Sequence, residues 1–536
     1  MKFISTRGSQ RRYSFEEAAL AGLAEDGGLL MSEYIPAVGV NLQNRWRALP
    51  FPTLCAEFLS LFIEPAGELL AFLLQRRTQQ TPTGLVVLGA TSGDTGSAAI
   101  AALKRKSPLL HVVILFPKDR TSEVQRLQMV TTLDSHVHCL EVNGTFDDCQ
   151  RMVKGVLADK SLQHKLYGAT KESGFEYNEG ESSLRRKEGV SQATRKEEEA
   201  SVKPSVQRRW KLCVVNSINC IRILLQAAYW WFSVLRLEQK LTAAPDDGRT
   251  VQATGFPPKW RCNIVVPTGN FGNIFSAFLA KQMGAPIGKL LLATNSNDSL
   301  ACAHECGVYD QRKGVRVTSS PAMDISAASN FERLLFSHCS TPENQDLSGT
   351  GPSDYFCKVG PHAETVRAVM ERLDIQGYVN LSEGFLEYYR RNFITESVDD
   401  AEMKDGIARM NRVYGEVIDP HTAIGYAAYI KHKSRQRSLQ EDVPGSSERE
   451  RDQKASYLGR SNPWLLASTA HFGKFPETVL QIVGPEKYAR IPVQLRKLKH
   501  MPQRSVTIDP STESLRRFIT KHFLGCAITP DEEAAV

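Results

Sequence analysis

The sequence predicts an α/β protein built on parallel sheets, with a helical region ahead of them. Three observations carry that prediction. Short, continuously apolar runs at 84–89, 109–116, 262–267 and 289–295 read as strands buried on both faces. Each pair of runs encloses a helix-length segment, at 97–106 and at 274–284, which makes two βαβ units. Small-residue turns stand where the first strand of each unit meets its helix: ATSGDTG at 90–96 and TGNFGN at 268–273.

Taken in order, residues 14–63 read as helical. Ser14 with Glu17 three positions on is a capping-box pattern, and PTLCAEFLSLFI at 52–63 is a second amphipathic run. The first βαβ unit follows from Gly84 and the second from Cys262. Between them, Leu212–Leu237 is apolar enough to suggest a membrane span. It carries Asn216, Asn219, Arg222 and Gln226 at helical spacing, so it reads as a buried helix with one polar face. Residues 171–211 are charged with both signs and poor in aliphatic side chains, as are the shorter stretches 240–261 and 433–462; all three read as linkers or insertions.

Composition narrows the function classes. A chain of 536 residues with 42% hydrophobic and 23% charged residues is globular and long enough for roughly two to four domains. The net charge of +7 is spread among acidic residues, so no nucleic-acid partner is implied. Eleven cysteines without a regular framework point to reduced thiols. The N-terminus has charges where a signal peptide carries its apolar segment, and a cytoplasmic protein without a membrane is expected.

Two loops invite chemistry. In PTGNFGN at 267–273, Gly269 and Gly272 let the chain turn tightly, so that backbone N–H groups and the start of the next helix can converge on an anion. On spacing alone the same loop is equally a strand-to-helix turn with no ligand. ATSGDTGSAA at 90–99 follows the same logic with Ser92, Asp94 and Thr95 added. Asp94 would repel an anion unless it faces a hydroxyl or a cation, and its plain alternative is a helix N-cap.

With these loops in place the chain resembles the threonine synthase family of pyridoxal-phosphate enzymes, which have the fold type II, tryptophan-synthase-β architecture. The likeness runs from end to end. MKFISTRG, SFEEAALAGLAEDGGLLMSE, GATSGDTGSAAI, LFPKDRTSEVQRLQM and NGTFDDCQ are followed in family order by VNSINCIRILLQ, VVPTGNFGNIFSAFLAKQMGAPIGKLLLATNSND, SPAMDISAASNFERLLF, VIDPHTAIGYAA and STAHFGKFPE. The resemblance implies two α/β lobes and pyridoxal 5'-phosphate as cofactor. It also implies conversion of O-phospho-L-homoserine and water to L-threonine and phosphate, a lyase reaction of amino-acid biosynthesis.

The resemblance assigns residues as well. Gly269, Asn270, Phe271, Gly272 and Asn273 match the loop that holds the cofactor phosphate. Thr469 matches the hydroxyl residue beside the pyridine nitrogen; such a neutral partner suits an unprotonated ring nitrogen and a moderate electron sink. Ser92, Asp94 and Thr95 would lie near the cofactor's 3'-oxygen and the substrate carboxylate. Lys118, Arg120, Asn216, Asn219 and Arg222 are candidates for the substrate's anionic groups, or else ordinary caps and ion-pair partners. The implied organisation is an N-terminal helical domain at 1–65, a smaller lobe at 66–170, an insertion at 171–211 and a larger lobe with C-terminal helices at 212–536.

One element of the family is missing. Its Schiff-base lysine lies in a GPTxAFKD motif ahead of the GATSGDTG strand, and neither GPT nor FKD occurs in this chain. The family text runs to Pro65 and resumes at Gly67, so Pro65–Gly67 reads as a seam, and the smaller lobe as incomplete. Lys118 and Lys474 occupy family positions of their own, while Lys104 and Lys106 read as charges at a helix end. Cys220 replaces a usual Trp, and Phe472–Gly473 a usual Pro-Ala.

A loss at one seam beside a low-complexity gain fits a skipped exon and a retained intron. Sequencing the transcript across the codons for Pro65–Gly67 tests this hypothesis, and an uninterrupted genomic join there would sink it.

The leading expectation is therefore a threonine synthase homologue with no catalytic lysine and no activity. The alternatives are a non-catalytic cofactor-, substrate- or partner-binding pseudoenzyme, and a phospho-lyase on the same substrate, which would need the same lysine. No metal is expected: HVHC at 136–139 and CAHEC at 302–306 contain ligand types but fall in ordinary strand and helix context.

Overall fold

The computed structural model describes residues 1–62, 84–104, 106–107, 109–167, 209–242, 260–339, 355–356, 361–441 and 462–524. The seam at Pro65–Gly67 and most of the 171–211 insertion lie outside them.

The N-terminal region mixes strands with its helices. Strand β1 (Phe3–Ser5) pairs antiparallel with β2 (Leu30–Ser32), and β3 (Tyr34–Ile35) pairs with β11 (Tyr355–Phe356). Helices α1 (Phe15–Ala21), α2 (Val40–Ala48) and α3 (Phe51–Ser60) fill the rest. The capping box at Ser14 and Glu17 is formed as the spacing predicts.

The first large sheet is all parallel, in the order β15-β6-β5-β4-β7. Its strands are β4 (Gly84–Ala90), β5 (Leu110–Pro117), β6 (Val137–Val142), β7 (Trp210–Val214) and β15 (Val506–Ile508). Helices α4 (Asp94–Leu103), α5 (Glu123–Val130), α6 (Phe146–Ala158) and α7 (Lys160–Tyr167) connect or cover them. The second sheet, also parallel, has the order β13-β9-β8-β14. It comprises β8 (Cys262–Pro267), β9 (Ile287–Thr294), β13 (Phe393–Ser397) and β14 (Trp464–Leu466). A small pair, β10 (Val308–Asp310) with β12 (Tyr378–Asn380), lies beside it.

Both faces of each sheet are buried, as the apolar runs require. On β4, Val86 and Leu88 enter one core cluster while Leu85 and Val87 enter another; on β8, Ile264 and Val266 part from Val265 in the same way. Beside and behind the second sheet come α8 (Cys220–Thr242), α9 (Gly272–Gln282), α10 (Ser299–Cys306) and α11 (Phe331–Cys339), of which α9 and α10 pack on the sheet itself. Then follow α12 (Pro361–Gln376), α13 (Glu383–Asn392), α14 (Asp400–Tyr414) and α15 (Pro420–Glu441), and after β14 come α16 (Pro476–Val483), α17 (Val493–Arg496) and α18 (Thr512–Ile519).

Four sequence expectations need correction. The apolar run Leu212–Leu237 is not one helix, because Leu212–Val214 ends β7 and the helix begins only at Cys220. Asn216 breaks the run: its Oδ1 accepts from Ile218 N at 3.1 Å and turns the chain. Trp210 and Lys211 belong to β7 rather than to an insertion ending at 211. The stretch from 433 is not a linker throughout, since α15 continues to Glu441 on good helix formers. The C-terminal part of 212–536 does not stay with the second sheet either, because β15 adds to the edge of the first.

Candidate functional site

Loop Gly269–Asn273 lies at the carboxyl end of β8 and leads into α9. Phe271 holds its shape with a left-handed φ of 62°, a conformation a bulky residue adopts only under constraint. The constraint is its ring, buried 5.5 Å from the ring of Phe331 and 5.6 Å from that of Phe393. Gly269 is required by proximity: a Cβ there would stand 3.0 Å from Ala322 O. Phe275 N closes the first helical bond, to Phe271 O at 3.0 Å, which leaves the earlier N–H groups of the helix start for a ligand. Asn273 Oδ1 accepts from Trp230 Nε1 at 3.1 Å and from the Tyr229 hydroxyl.

A cavity of about 570 Å³ opens beside this loop, within the range of cofactor sites. All five residues Gly269–Asn273 line it, together with Ser92, Asp94, Thr95, Arg222 and Thr469. Two buried atoms in its lining residues have no hydrogen-bond partner, Ser217 Oγ and Asn270 Oδ1. A hydroxyl donor left open beside a helix N-terminus is what a bound phosphate would use.

The first lobe supplies the opposite wall. Thr91, not Asp94, ties the turn before α4, its Oγ1 accepting from Gly93 N and Gly96 N at 3.0 Å each. Asp94 faces cations and donors instead: Lys474 Nζ lies 2.7 Å and Gln125 Nε2 3.0 Å from its Oδ1. Arg222 on α8 donates to Thr95 Oγ1 at 2.7 Å, and burial pulls its guanidinium below the usual arginine range. Burial also pushes the Tyr229 phenol well up, so it stays neutral.

Thr469 follows β14, its N–H donating to Thr422 Oγ1 at 3.1 Å. Thr422 in turn donates to Asp419 Oδ2, and His421 Nδ1 lies 3.0 Å from Asp419 Oδ1. His421 Nε2 accepts from Ala322 N at 3.1 Å, which assigns the ring proton to Nδ1. Burial alone would raise the Asp419 carboxyl, but the hydrogen bonds from His421 and Thr422 outweigh it and hold the group below its usual value.

The structure divides the substrate candidates. Arg222, Ser92 and Thr95 line the cavity. Asn216 and Asn219 do not: Asn219 Oδ1 accepts from Ile221 N at 3.0 Å at the start of α8, and its Nδ2 donates to Ala19 O at 2.9 Å. Both are short side chains consumed by their own backbone and the neighbouring helix. Lys118 and Arg120 also stand outside the lining, on the exposed turn after β5 where Asp119 has a φ of 57°.

Sequence reasoning gave no role to Ser217, Gln226, Tyr229, Trp230 or His421, all in the wall. Helical spacing from Arg222 to Gln226, Tyr229 and Ser233 was the available signal for the α8 stripe. HVHC falls at the start of β6 and CAHEC on α10; among the described residues no three metal-ligating side chains cluster. No described helix is long and apolar enough to cross a membrane.

Comparison with known proteins agrees with this architecture. A family model described as threonine synthase N terminus matches residues 2–76, and one described as threonine synthase, C-terminal, matches residues 449–519. Threonine synthase of Schizosaccharomyces pombe is 30% identical, covering 89% of this chain and 88% of its own. That of Pseudomonas aeruginosa is 29% identical, covering 97% and 98%. The crystal structure of pyridoxal-phosphate-bound threonine synthase from Brucella melitensis superposes with a TM-score of 0.68 at 27% identity, over 98% of this chain and 99% of that one. The yeast enzyme gives 0.69 at 26%, over the same shares. With a relative 30% identical across nearly nine-tenths of each sequence, on the same fold, this chain belongs to the threonine synthase family.

Proposed function

We propose that this chain holds pyridoxal 5'-phosphate in the cavity beside Gly269–Asn273 and that it does not complete the family reaction. That reaction converts O-phospho-L-homoserine and water to L-threonine and phosphate. One observation carries both halves: among the described residues the cavity wall has a helix N-terminus, open hydroxyls and Arg222, and no lysine. When bound, the cofactor supplies an electron sink for charge developing on the substrate.

The chain's own groups then have defined tasks. The N–H groups opening α9 and the Ser217 hydroxyl hold the cofactor phosphate, and Thr469 offers a neutral hydroxyl to the ring nitrogen. Ser92 and Thr95 bind the substrate carboxylate, and Arg222, already directed by Thr95, binds an anionic group of the substrate. Asp94 is occupied by Lys474, so it acts by fixing that ammonium rather than by meeting an anion.

No described lysine is placed to replace the missing one. Lys474 is committed to Asp94, Lys118 is exposed outside the lining, and attack geometry tolerates errors of only about 1 Å.

The test is borohydride reduction of the protein purified with pyridoxal phosphate, read by the visible band of a lysine-bound pyridoxal and by mass spectrometry. Reversible binding with no reduced adduct is expected. A stoichiometric adduct on a lysine would overturn the claim of inactivity, and no binding at all would overturn the cofactor assignment.

A further inference from the structure

The cofactor loop is braced from behind by two buried residues that belong to no wall of the cavity. Asn330, fully buried just ahead of α11, donates its Nδ2 to Asn270 O at 2.9 Å and to Ser217 O at 3.1 Å. Its backbone N–H donates to Asn270 O as well, at 3.1 Å. One side chain thus ties the loop after β8 to the turn before α8, the two segments that present the helix N-terminus and the open Ser217 hydroxyl.

An amide can be read in either direction, and its flip decides whether it donates or accepts. Arg333 settles the direction. Its Nη1 donates to Asn330 Oδ1, so the Nδ2 must point at the two carbonyls. The Arg333 Nη2 donates to Ile218 O at 2.7 Å and to Leu30 O at 3.2 Å, which anchors the guanidinium to the same turn and to β2. Arg333 is 1% exposed, and these three partners are all neutral oxygens. Keeping an arginine dry against neutral partners is costly, so its return lies in the geometry it fixes. Gly272 belongs to the same device: a Cβ there would stand 3.3 Å from Asn330 Nδ2 and press the amide off its carbonyls.

We propose that Asn330 and Arg333 are positioning residues for phosphate recognition, setting the distance between the α9 N-terminus and Ser217. This rests on the cofactor assignment above. Asn330→Asp keeps the shape and the bond from Arg333 but turns a carboxylate oxygen toward two carbonyls, which opens the bracket.

The experiment compares noncovalent affinities for pyridoxal 5'-phosphate and for pyridoxal, which lacks the phosphate, in the wild-type chain and in Asn330→Asp. Tryptophan fluorescence gives the readout, since Trp230 lines the cavity. Hydrogen exchange of the peptide spanning 268–275 is followed in parallel. The variant is expected to lose at least about tenfold of the wild-type preference for the phosphorylated ligand, with faster exchange confined to that peptide. An equal fall in both affinities, or an unchanged preference, overturns the positioning role. A wild-type chain with no preference overturns the cofactor reading itself, and this role with it. Arg333→Lys, which keeps the charge but cannot span three acceptors, is expected to reproduce the loss; retained preference there would overturn the part assigned to Arg333.

Discussion

Phe271 is where strain and packing meet, and its replacement gives a sharp test of how the loop is held. Its φ of 62° costs a non-glycine residue about 1–2 kcal/mol. Its ring is 1% exposed and packs edge-on or tilted against Phe331 and Phe393. Removing such a ring costs about 3–5 kcal/mol through lost transfer energy and the cavity left behind. Phe271→Ala is therefore expected to lose about 3–5 kcal/mol, since alanine retains the backbone penalty. Phe271→Gly loses the same ring but relieves the strain. Glycine's own entropic cost of about 0.5–1 kcal/mol takes back part of that relief. The glycine variant should then be about 0.5–1 kcal/mol more stable than the alanine variant, the reverse of the usual order. Urea unfolding, read as a midpoint shift at constant slope, measures both. An alanine variant within 1 kcal/mol of wild type, or one more stable than the glycine variant, would refute the account of the loop as strained and ring-anchored.

Two further outcomes are expected. His138 lies against His111, with nitrogens 3.2 Å apart, and is also faced by His136, His522 and Arg504; burial first, then these neighbours, pull its pKa down to about 4. Because the folded value lies below the ordinary 6.5, the folded chain binds fewer protons. The stabilisation is whole above pH 6.5 and is lost as pH falls toward 4, by about 2 kcal/mol once partial exposure is discounted. His138→Gln should flatten the stability curve across that window, and an unchanged slope would count against it. Arg222→Met should weaken calorimetric binding of O-phospho-L-homoserine by about 10- to 100-fold, the worth of a hydrogen bond to a charged group; an unchanged affinity would remove Arg222 from the substrate site.

Much of the fold was legible because it rests on local patterns. Short continuous apolar runs bounded by turn residues read as strands covered on both faces, and the two βαβ units follow from them. The loop Gly269–Asn273 was legible as a strand-to-helix turn from its glycines, and the family resemblance singled out Thr469 and Arg222; all of them line one cavity. Polarity read without partners left two assignments open, ligand contact or an ordinary cap. Asn216 and Asn219 look like ligand residues on a helix face, but both spend their side chains on backbone groups at a turn and a cap. Lys118 and Arg120 carry a charge suited to an anion but stand outside the wall.

The sequence by itself determined the family, the parallel sheets, the glycine turn at 269–273 and the absence of the GPTxAFKD motif, since each rests on residues near one another in the chain. Tertiary structure alone decided which polar groups meet. It paired Asp94 with Lys474 across 380 positions and brought Arg222 to Thr95 across 127. It returned β15 to the first sheet and placed Asn330 between Ser217 and Asn270. Such contacts are set by how helices and sheets pack, and side-chain periodicity within one element carries no record of the partner across the cavity.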